Sequence, residues 1–203
     1  MTGQALDRSV TVGVIGAGAM GAGIAQVAAQ AGHRVLLVDA QAGAAERAIA
    51  HAAGSLKALA DKGKVPAEHA TAVPARMSAA TLPELAGCGL VIEAIVEDME
   101  VKRGLLRDLE AIVDPGCILA TNTSSLSVTA MAAGLQQPGR VVGMHFFNPP
   151  TRMRLVEVIS GLETAPEVAQ RVFRTSEAWG KHAAYAKSTP GFIVNRIARP
   201  FYG

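Results

Sequence analysis

The sequence has little excess of either charge and no cluster of basic residues. Its 203 residues include 19 lysines and arginines and 17 aspartates and glutamates, for a formal charge of +2. Nucleic acids and anionic membrane surfaces attract basic patches, so we expect neither partner. Cysteine is scarce too: Cys88 and Cys117 have no further cysteine or histidine at ligand spacing. They indicate buried free thiols, no metal site and a reducing, cytoplasmic compartment, which leaves a small molecule as the expected ligand.

Charged residues are absent from most of the stretch GVIGAGAMGAGIAQVAAQAGHRVLLVD, residues 13–39, where Arg34 is the first. A signal peptide or a membrane helix needs a preceding basic cluster and an unbroken apolar run. Asp7 and Arg8 precede this stretch instead, and five glycines lie between Gly13 and Gly23. We therefore expect neither secretion nor membrane insertion.

Strand and helix patterns alternate along the chain. Residues 10–15 predict a strand, a glycine turn leads into a helix that ends at Gly32, and residues 34–38 predict a second strand. This alternation predicts an α/β fold, a doubly wound and mostly parallel sheet with ligands at its carboxyl edge. The later predicted elements are a helix over 42–61, strands near 77 and over 89–94, an amphipathic helix with Val101, Leu105, Leu109 and Ile112 on one face, a strand over 117–120, a helix over 126–133, strands over 140–144 and 154–159, a helix over 167–179 and a polar segment over 187–191.

Gly16, Gly18 and Gly21 fit the G-x-G-x-x-G dinucleotide fingerprint. The first glycine permits a tight turn, the second lets backbone approach a pyrophosphate, and the third lets helix and strand pack closely. Asp39 lies 18 residues beyond Gly21, at the end of the next predicted strand. A carboxylate there accepts from ribose hydroxyls and repels a 2′-phosphate, so the pattern favours NAD over NADP.

Polar residues follow two later strands, in the segments 121–125 and 145–148. Ser125, and less so Ser124, has an ordinary alternative role as a helix N-cap, and His145 alone could be a structural histidine. Glu157 lies within the apolar run of a predicted strand, where an unpaired carboxylate is costly. His145 paired with Glu157 would give a base able to take a proton from an alcohol.

Six ordered motifs resemble those of the L-3-hydroxyacyl-CoA dehydrogenases: GAGAMGAGIAQ, VIEAIVEDMEVK, ATNTSSLSV, MHFFNPP, RLVEVI and STPGFIVNR. The resemblance runs from about Val10 to the end of the chain and lies closest to the phenylacetate-pathway branch that acts on 3-hydroxyadipyl-CoA. It implies a Rossmann-type domain with a helical hairpin insertion, NAD as cofactor, an acyl-CoA substrate, 3-hydroxyacyl-CoA oxidation as in β-oxidation, and a homodimer.

The resemblance also implies roles for single residues. His145 would be the catalytic base with Glu157 as its partner, and Ser124 and Asn195 would bind the substrate 3-oxygen. Ser55 and Lys62, on one face of the long second helix, would contact coenzyme A, with Ser124 and Asn148 also on the substrate. The implied cofactor contacts are Gly16, Gly18, Ala19, Met20, Gly21, Asp39, Glu97, Lys102, Asn122, Ser124 and Asn148. Lys102, Ser55 and Lys62 have an ordinary alternative as solvated helix residues, and Glu93 has no predicted role beyond structure.

The resemblance divides the chain into an NAD-binding domain, residues 1–189, and residues 190–203, the first helix of a helical domain of which the rest is missing. Two other functions stay open. One is a different NAD-linked hydroxyacid dehydrogenase, which would be expected to use a catalytic lysine. The other is a non-catalytic NAD-binding or structural relative. Arg152, beyond the Pro-Pro turn, is either a solvated loop arginine or a contact for a distal acyl carboxylate.

Overall fold

One eight-stranded sheet organises residues 3–198, the part of the chain that this computed structural model describes. The strands lie in the order β3-β2-β1-β4-β5-β6-β7-β8, and each neighbouring pair is parallel except β6 and β7. Strand order reverses between β1 and β4, so the ligand crevice of such a sheet is expected at their carboxyl ends. The strands are β1 (Val12–Ile15), β2 (Val35–Val38), β3 (Met77–Ala79), β4 (Leu90–Glu93), β5 (Ile118–Thr121), β6 (Val141–Phe146), β7 (Leu155–Ser160) and β8 (His182–Lys187).

Helices cover both faces of the sheet, which confirms the predicted Rossmann-type fold. Because side chains alternate along a strand, Val12 and Val14 pack into one hydrophobic core with Ile24, whereas Ile15 packs into the other with Leu106. The helices are α1 (Ala19–Gln30), α2 (Ala44–Asp61), α3 (Ala67–Ala75), α4 (Met99–Ile112), α5 (Val128–Ala132), α6 (Pro166–Ala178) and α7 (Val194–Ala198), with short 3₁₀ helices at Leu82–Gly87 and Pro138–Arg140.

The predicted helical hairpin is the pair α2 and α3, which pack together between β2 and β3. The α2 helix begins close to its predicted start and ends at Asp61, so Lys62 is its C-cap. No helix within residues 3–198 is long and apolar enough to cross a membrane.

Cys88 and Cys117 precede β4 and β5 and are buried and free, as predicted. Burial raises the pKa of the Cys88 thiol to about 11 and that of the Cys117 thiol to about 12. Both thiols therefore stay protonated and unreactive near neutral pH.

The face of α4 that packs on the sheet differs from the predicted one. Leu109 is buried as expected, but Val101 is 50% exposed, and Lys102 and Leu106 are buried as deeply as Leu109. The predicted face was wrong at Val101 because it was drawn from apolar residues alone, whereas Lys102 is buried with a carboxylate that pairs with its ammonium group. Val101 lies instead on the wall of a cleft.

The strand β8 and the exact start of α5 were also not predicted. β8 reads HAAYAK and lies at the sheet edge, where none of its residues is fully buried, and it contains three alanines, which carry little strand propensity. The helix predicted to begin near Leu126 begins at Val128, because Ser127 is its N-cap and accepts a hydrogen bond from the Ala130 amide at 3.2 Å. The capping role considered for Ser125 therefore belongs to Ser127.

Candidate active site

The turn from β1 into α1 has the backbone geometry that its glycines allow. Gly16 has a φ of +99°, and a Cβ there would lie 2.6 Å from the Ala94 carbonyl oxygen. A Cβ on Gly21 would lie 1.7 Å from the Gly16 oxygen, whereas one on Gly18 would meet nothing within 4 Å. Gly16 and Gly21 therefore hold the turn tightly against β4, and Gly18 leaves its outer side open to a ligand.

The first turn of α1 faces this open side without a side-chain cap. Gly18 is the N-cap residue, and the first turn contains no acidic residue, so the leading N–H groups keep their capacity to bind an anion. Ala19 is exposed at the helix start, and Met20 lines the neighbouring cleft that also contains His145. These features fit a pyrophosphate at the end of α1.

Asp39 follows β2 on the other side of the turn. Its Oδ2 accepts from the Ala17 amide at 2.6 Å and its Oδ1 accepts from the Gln41 amide at 2.8 Å. These bonds orient the carboxylate, and each oxygen keeps a further lone pair for a ribose hydroxyl. A cleft of about 880 Å³ runs from Gly16 past Asp39 to Val101 and Leu105 of α4, large enough for a nucleoside.

His145 and Glu157 face each other across the antiparallel pair β6 and β7, where they are directly opposed in the strand register. His145 Nδ1 lies 2.7 Å from Glu157 Oε2, and both side chains are buried. With Nδ1 engaged, Nε2 is the ring nitrogen left to face the cleft that His145 lines. This cleft has a volume of about 420 Å³.

Glu157 is held ionised by its surroundings. Burial would raise the pKa of its carboxyl group, but hydrogen bonds from His145 and from the backbone amides of Val194 and Ile193 keep that pKa below its ordinary value. The two amides donate to Oε1 at 2.9 and 3.0 Å. A charged carboxylate fixes the tautomer of His145 with its proton on Nδ1, which leaves the lone pair of Nε2 free to accept a proton.

Glu97 organises the loop that carries Ser124. Its Oε1 accepts from the Thr123 hydroxyl at 2.6 Å, the Ser124 amide at 2.8 Å and the Ser125 amide at 3.2 Å. Burial opposes ionisation of Glu97, but these bonds and nearby Lys102 lower its pKa overall. Glu97 and Ser124 both line the His145 cleft, so this loop is held close to His145.

A buried ion pair lies beneath that loop. Lys102 Nζ lies 2.9 and 2.8 Å from the two carboxylate oxygens of Glu93 and 3.5 Å from Glu97 Oε2. The Thr121 hydroxyl also donates to Glu93. Lys102 is 1% exposed, which rules out its alternative as a solvated residue. Lys102 therefore supports the Ser124 loop through its contact with Glu97. The sequence predicted no role beyond structure for its partner Glu93.

Three asparagines line the same cleft as His145. Asn122 Oδ1 accepts from the Phe146 amide at 2.8 Å, which ties β5 to β6 beside His145. Asn195, at the start of α7, donates from Nδ2 to the Ser124 carbonyl oxygen at 3.0 Å. Asn148 is exposed and lines the same cleft as the other two. The structure thus brings Asn122, Asn148 and Asn195 together with Ser124 and His145.

Ser55 and Lys62 lie outside this group. Both are exposed, Ser55 on α2 and Lys62 at the C-cap of that helix, and neither lines the His145 cleft. Phe192 was not predicted from the sequence at all. It is buried against His145, with ring centroids 5.9 Å apart, and its φ is +49°. A backbone conformation of this kind leaves no signal in a single sequence.

Comparison with known proteins shows the family to which this chain belongs. The family described as "3-hydroxyacyl-CoA dehydrogenase, NAD binding domain" matches residues 11–189. The 3-hydroxyadipyl-CoA dehydrogenase of Escherichia coli K12 is 49% identical over 193 residues, which cover 95% of this chain and 41% of that protein. The 3-hydroxybutyryl-CoA dehydrogenase of Clostridioides difficile is 42% identical over 92% of this chain and 67% of its own length.

Solved structures give the same result. The crystal structure of 3-hydroxybutyryl-CoA dehydrogenase from Escherichia coli K12 superposes with a TM-score of 0.94 at 48% identity, covering 97% of this chain and 42% of that one. The (S)-3-hydroxybutyryl-CoA dehydrogenase of Ralstonia eutropha gives a TM-score of 0.90 at 40% identity, with coverages of 94% and 68%. The chain therefore spans about two fifths to two thirds of the length of these relatives.

Proposed function

Because this chain belongs to the family of 3-hydroxyacyl-CoA dehydrogenase NAD-binding domains, as its resemblance predicts, we propose that it forms the cofactor site and supplies the base of an NAD-dependent dehydrogenase. The substrate would be an L-3-hydroxyacyl-CoA, oxidised at C3 to the 3-ketoacyl-CoA. The observation that supports this most directly is the buried contact of 2.7 Å between His145 and Glu157 on the wall of a cleft. That cleft adjoins the glycine turn through Met20.

His145 Nε2 removes the proton of the 3-hydroxyl group as the C3–O bond becomes a carbonyl. Glu157 stabilises the imidazolium that forms, because its charge lies 2.7 Å from the protonated ring. When bound, NAD supplies the acceptor for the hydride that leaves C3. Ser124 and Asn195 line the cleft beside His145 and would hydrogen-bond the 3-oxygen.

The residues around the glycine turn fit NAD. The tight turn at Gly16, the open side of Gly18 and the uncapped end of α1 suit the pyrophosphate, and Asp39 suits an adenosine ribose without a 2′-phosphate. Glu97 and Asn122 line the next cleft and would contact the nicotinamide half, with Asn148 at its rim. Lys102 would not touch the nicotinamide half of NAD directly, because its ammonium group is buried. It would affect that half by holding Glu97 in place.

The acyl group is the finer part of the proposal. One relative is named for 3-hydroxyadipyl-CoA, whose acyl group ends in a second carboxylate. Others are named for 3-hydroxybutyryl-CoA, whose acyl group has no such carboxylate. Arg152 is exposed in the turn after Pro150, and its guanidinium group would pair with a distal carboxylate of the acyl group. Ser55, which is exposed on α2, and Lys62, which is exposed at the C-cap of that helix, would contact coenzyme A. We also propose that the protein forms a homodimer and lies in the cytoplasm.

The deciding experiment measures NADH formation from 3-hydroxyadipyl-CoA and 3-hydroxybutyryl-CoA, with this chain and with any longer protein that contains it. His145→Gln should lower turnover by roughly 10²- to 10⁴-fold, the usual contribution of a positioned base, and leave NADH binding unchanged. His69→Gln, an exposed histidine on α3, is the matched control and should change neither. Near-normal turnover in His145→Gln would exclude this base. NADH binding without turnover of any acyl-CoA would favour a non-catalytic relative.

A further inference from the structure

The turn before α7 contains two successive residues in the left-handed backbone region. Gly191 has a φ of +73° and Phe192 a φ of +49°. Glycine adopts such angles readily, but a bulky side chain does so at a cost in conformational energy. Within residues 3–198, Phe192 is the single non-glycine residue with a positive φ. Strained residues of this kind persist where the surrounding structure holds them, often at functional sites.

The conformation of Phe192 determines where the next two amides point. The N–H groups of Ile193 and Val194 converge on one atom, Glu157 Oε1, at 3.0 and 2.9 Å. The other oxygen of the same carboxylate contacts His145 Nδ1. Glu157 is 1% exposed, so water cannot replace these donors easily. Without them, a buried carboxylate oxygen would lack partners and the carboxylate could rotate away from His145.

Burial of the Phe192 side chain also holds the turn in place. It is 3% exposed and belongs to the hydrophobic core that includes Met131 and Ile159. Its ring meets the His145 ring edge to face at an angle of 62°. The Phe192 amide donates to the Thr189 carbonyl oxygen at 3.0 Å, which closes the turn. Burial of the ring thus holds the backbone in a conformation that it would not otherwise favour.

We propose that Phe192 is a positioning residue for the base, because its left-handed backbone aims two N–H donors at Glu157 and thereby fixes the orientation of His145. The effect of Phe192 on catalysis rests on the proposed dehydrogenase function, but the contacts that it makes do not depend on the substrate. The two N–H donors, Glu157 and His145 form one chain of contacts that crosses from the start of α7 to β7 and then β6.

Two substitutions separate the backbone from the ring. Phe192→Gly and Phe192→Ala both remove the ring, but glycine still populates positive φ and alanine does not. The test is an NMR measurement on this chain of the proton on His145 Nδ1, because the chemical shift of that proton depends on its hydrogen bond to Glu157. We expect that signal to persist in Phe192→Gly and to move upfield or disappear by exchange in Phe192→Ala. In an active protein, kcat should fall at least roughly 10-fold further in Phe192→Ala than in Phe192→Gly, with the KM for NAD unchanged.

Leu109→Ala controls for general destabilisation, because Leu109 is buried in the same core but lies in the last turn of α4. It should leave the Nδ1 signal intact. If Phe192→Ala does not fold, Phe192→Leu serves instead, since leucine retains an apolar side chain and also disfavours positive φ. Equal Nδ1 signals in the glycine variant and the alanine or leucine variant would overturn the proposal. An altered signal without any dehydrogenase activity would support the positioning role and count against the proposed function.

Discussion

Three hydrogen bonds surround the carboxylate of Glu157, and an amide at this position cannot accept all of them. If the oxygen of a substituted glutamine side chain accepted from His145, its NH₂ group would meet the donating amides of Ile193 and Val194. We therefore expect Glu157→Gln to lower kcat by roughly 10²-fold, within the range for an impaired general base. Binding of NADH should not change, because Glu157 lines neither of the two clefts that we propose for the cofactor.

The same substitution should change the pH dependence in a defined direction. A nearby carboxylate favours the protonated imidazolium, and Glu157→Gln removes that carboxylate from its place beside His145. The acid limb of the kcat/KM profile should then move to lower pH in Glu157→Gln. Glu167→Gln, an exposed glutamate in the first turn of α6, should leave the profile unchanged. An acid limb that stays in place in Glu157→Gln would show that this carboxylate does not control the base.

Residues of this site differ in how far the sequence alone could identify them. Glu157 was predictable because a carboxylate within an apolar strand requires a buried partner. The contact with His145, however, depends on the antiparallel register of β6 and β7, which the sequence pattern does not contain. Phe192 could not be found, since its role arises from a φ angle and its side chain resembles any buried phenylalanine.

Among the elements, α4 shows how a buried ion pair connects the fold to the site. Lys102 on α4 meets Glu93 at the end of β4, and both are almost completely buried. Removing one partner of a buried pair leaves an uncompensated charge and typically costs about 3–5 kcal/mol. Lys102→Met should therefore lower the unfolding free energy by about that amount in urea denaturation.

The Ser124 loop should respond to this change as well, because Lys102 also lies 3.5 Å from Glu97, which accepts hydrogen bonds from that loop. Adding Glu93→Gln to Lys102→Met should restore part of the lost stability, since the buried charge is then removed. The exposed pair Lys57 and Asp61 on α2 gives the control, and Lys57→Met should have little effect. A Lys102→Met protein as stable as the wild type would contradict the importance of this pair.

Elements with strong apolar patterns were the ones that the sequence predicted well. The strands β1, β4 and β5 are buried along their whole length and read as apolar runs between turn residues. In contrast, α3 and β8 are rich in alanine and partly exposed, so their identity comes from packing against α2 and β7 rather than from their own residues. Tertiary contacts decide such weakly patterned segments.

At the scale of the whole molecule, the carboxyl ends of β1 and β4, where the strand order reverses, and of their neighbours β2 and β5 lie within the described residues 3–198. In the proposed NAD site, the glycine turn, Asp39 and α4 would contact the adenosine half, and the Ser124 loop with His145 would contact the nicotinamide half. We therefore expect this chain by itself to bind NADH, and to prefer it to NADPH. Titration calorimetry with both nucleotides measures this preference directly.

Asp39 should be the source of that preference, since its carboxylate can accept from ribose hydroxyls and would repel a 2′-phosphate. Asp39→Ser should weaken NADH binding and narrow the gap to NADPH by at least roughly 10-fold, equal to about 1.4 kcal/mol. Asp61→Ser, an exposed aspartate at the end of α2, should leave both affinities unchanged. Equal binding of the two nucleotides by the unaltered chain would show that the carboxylate at position 39 does not select the cofactor.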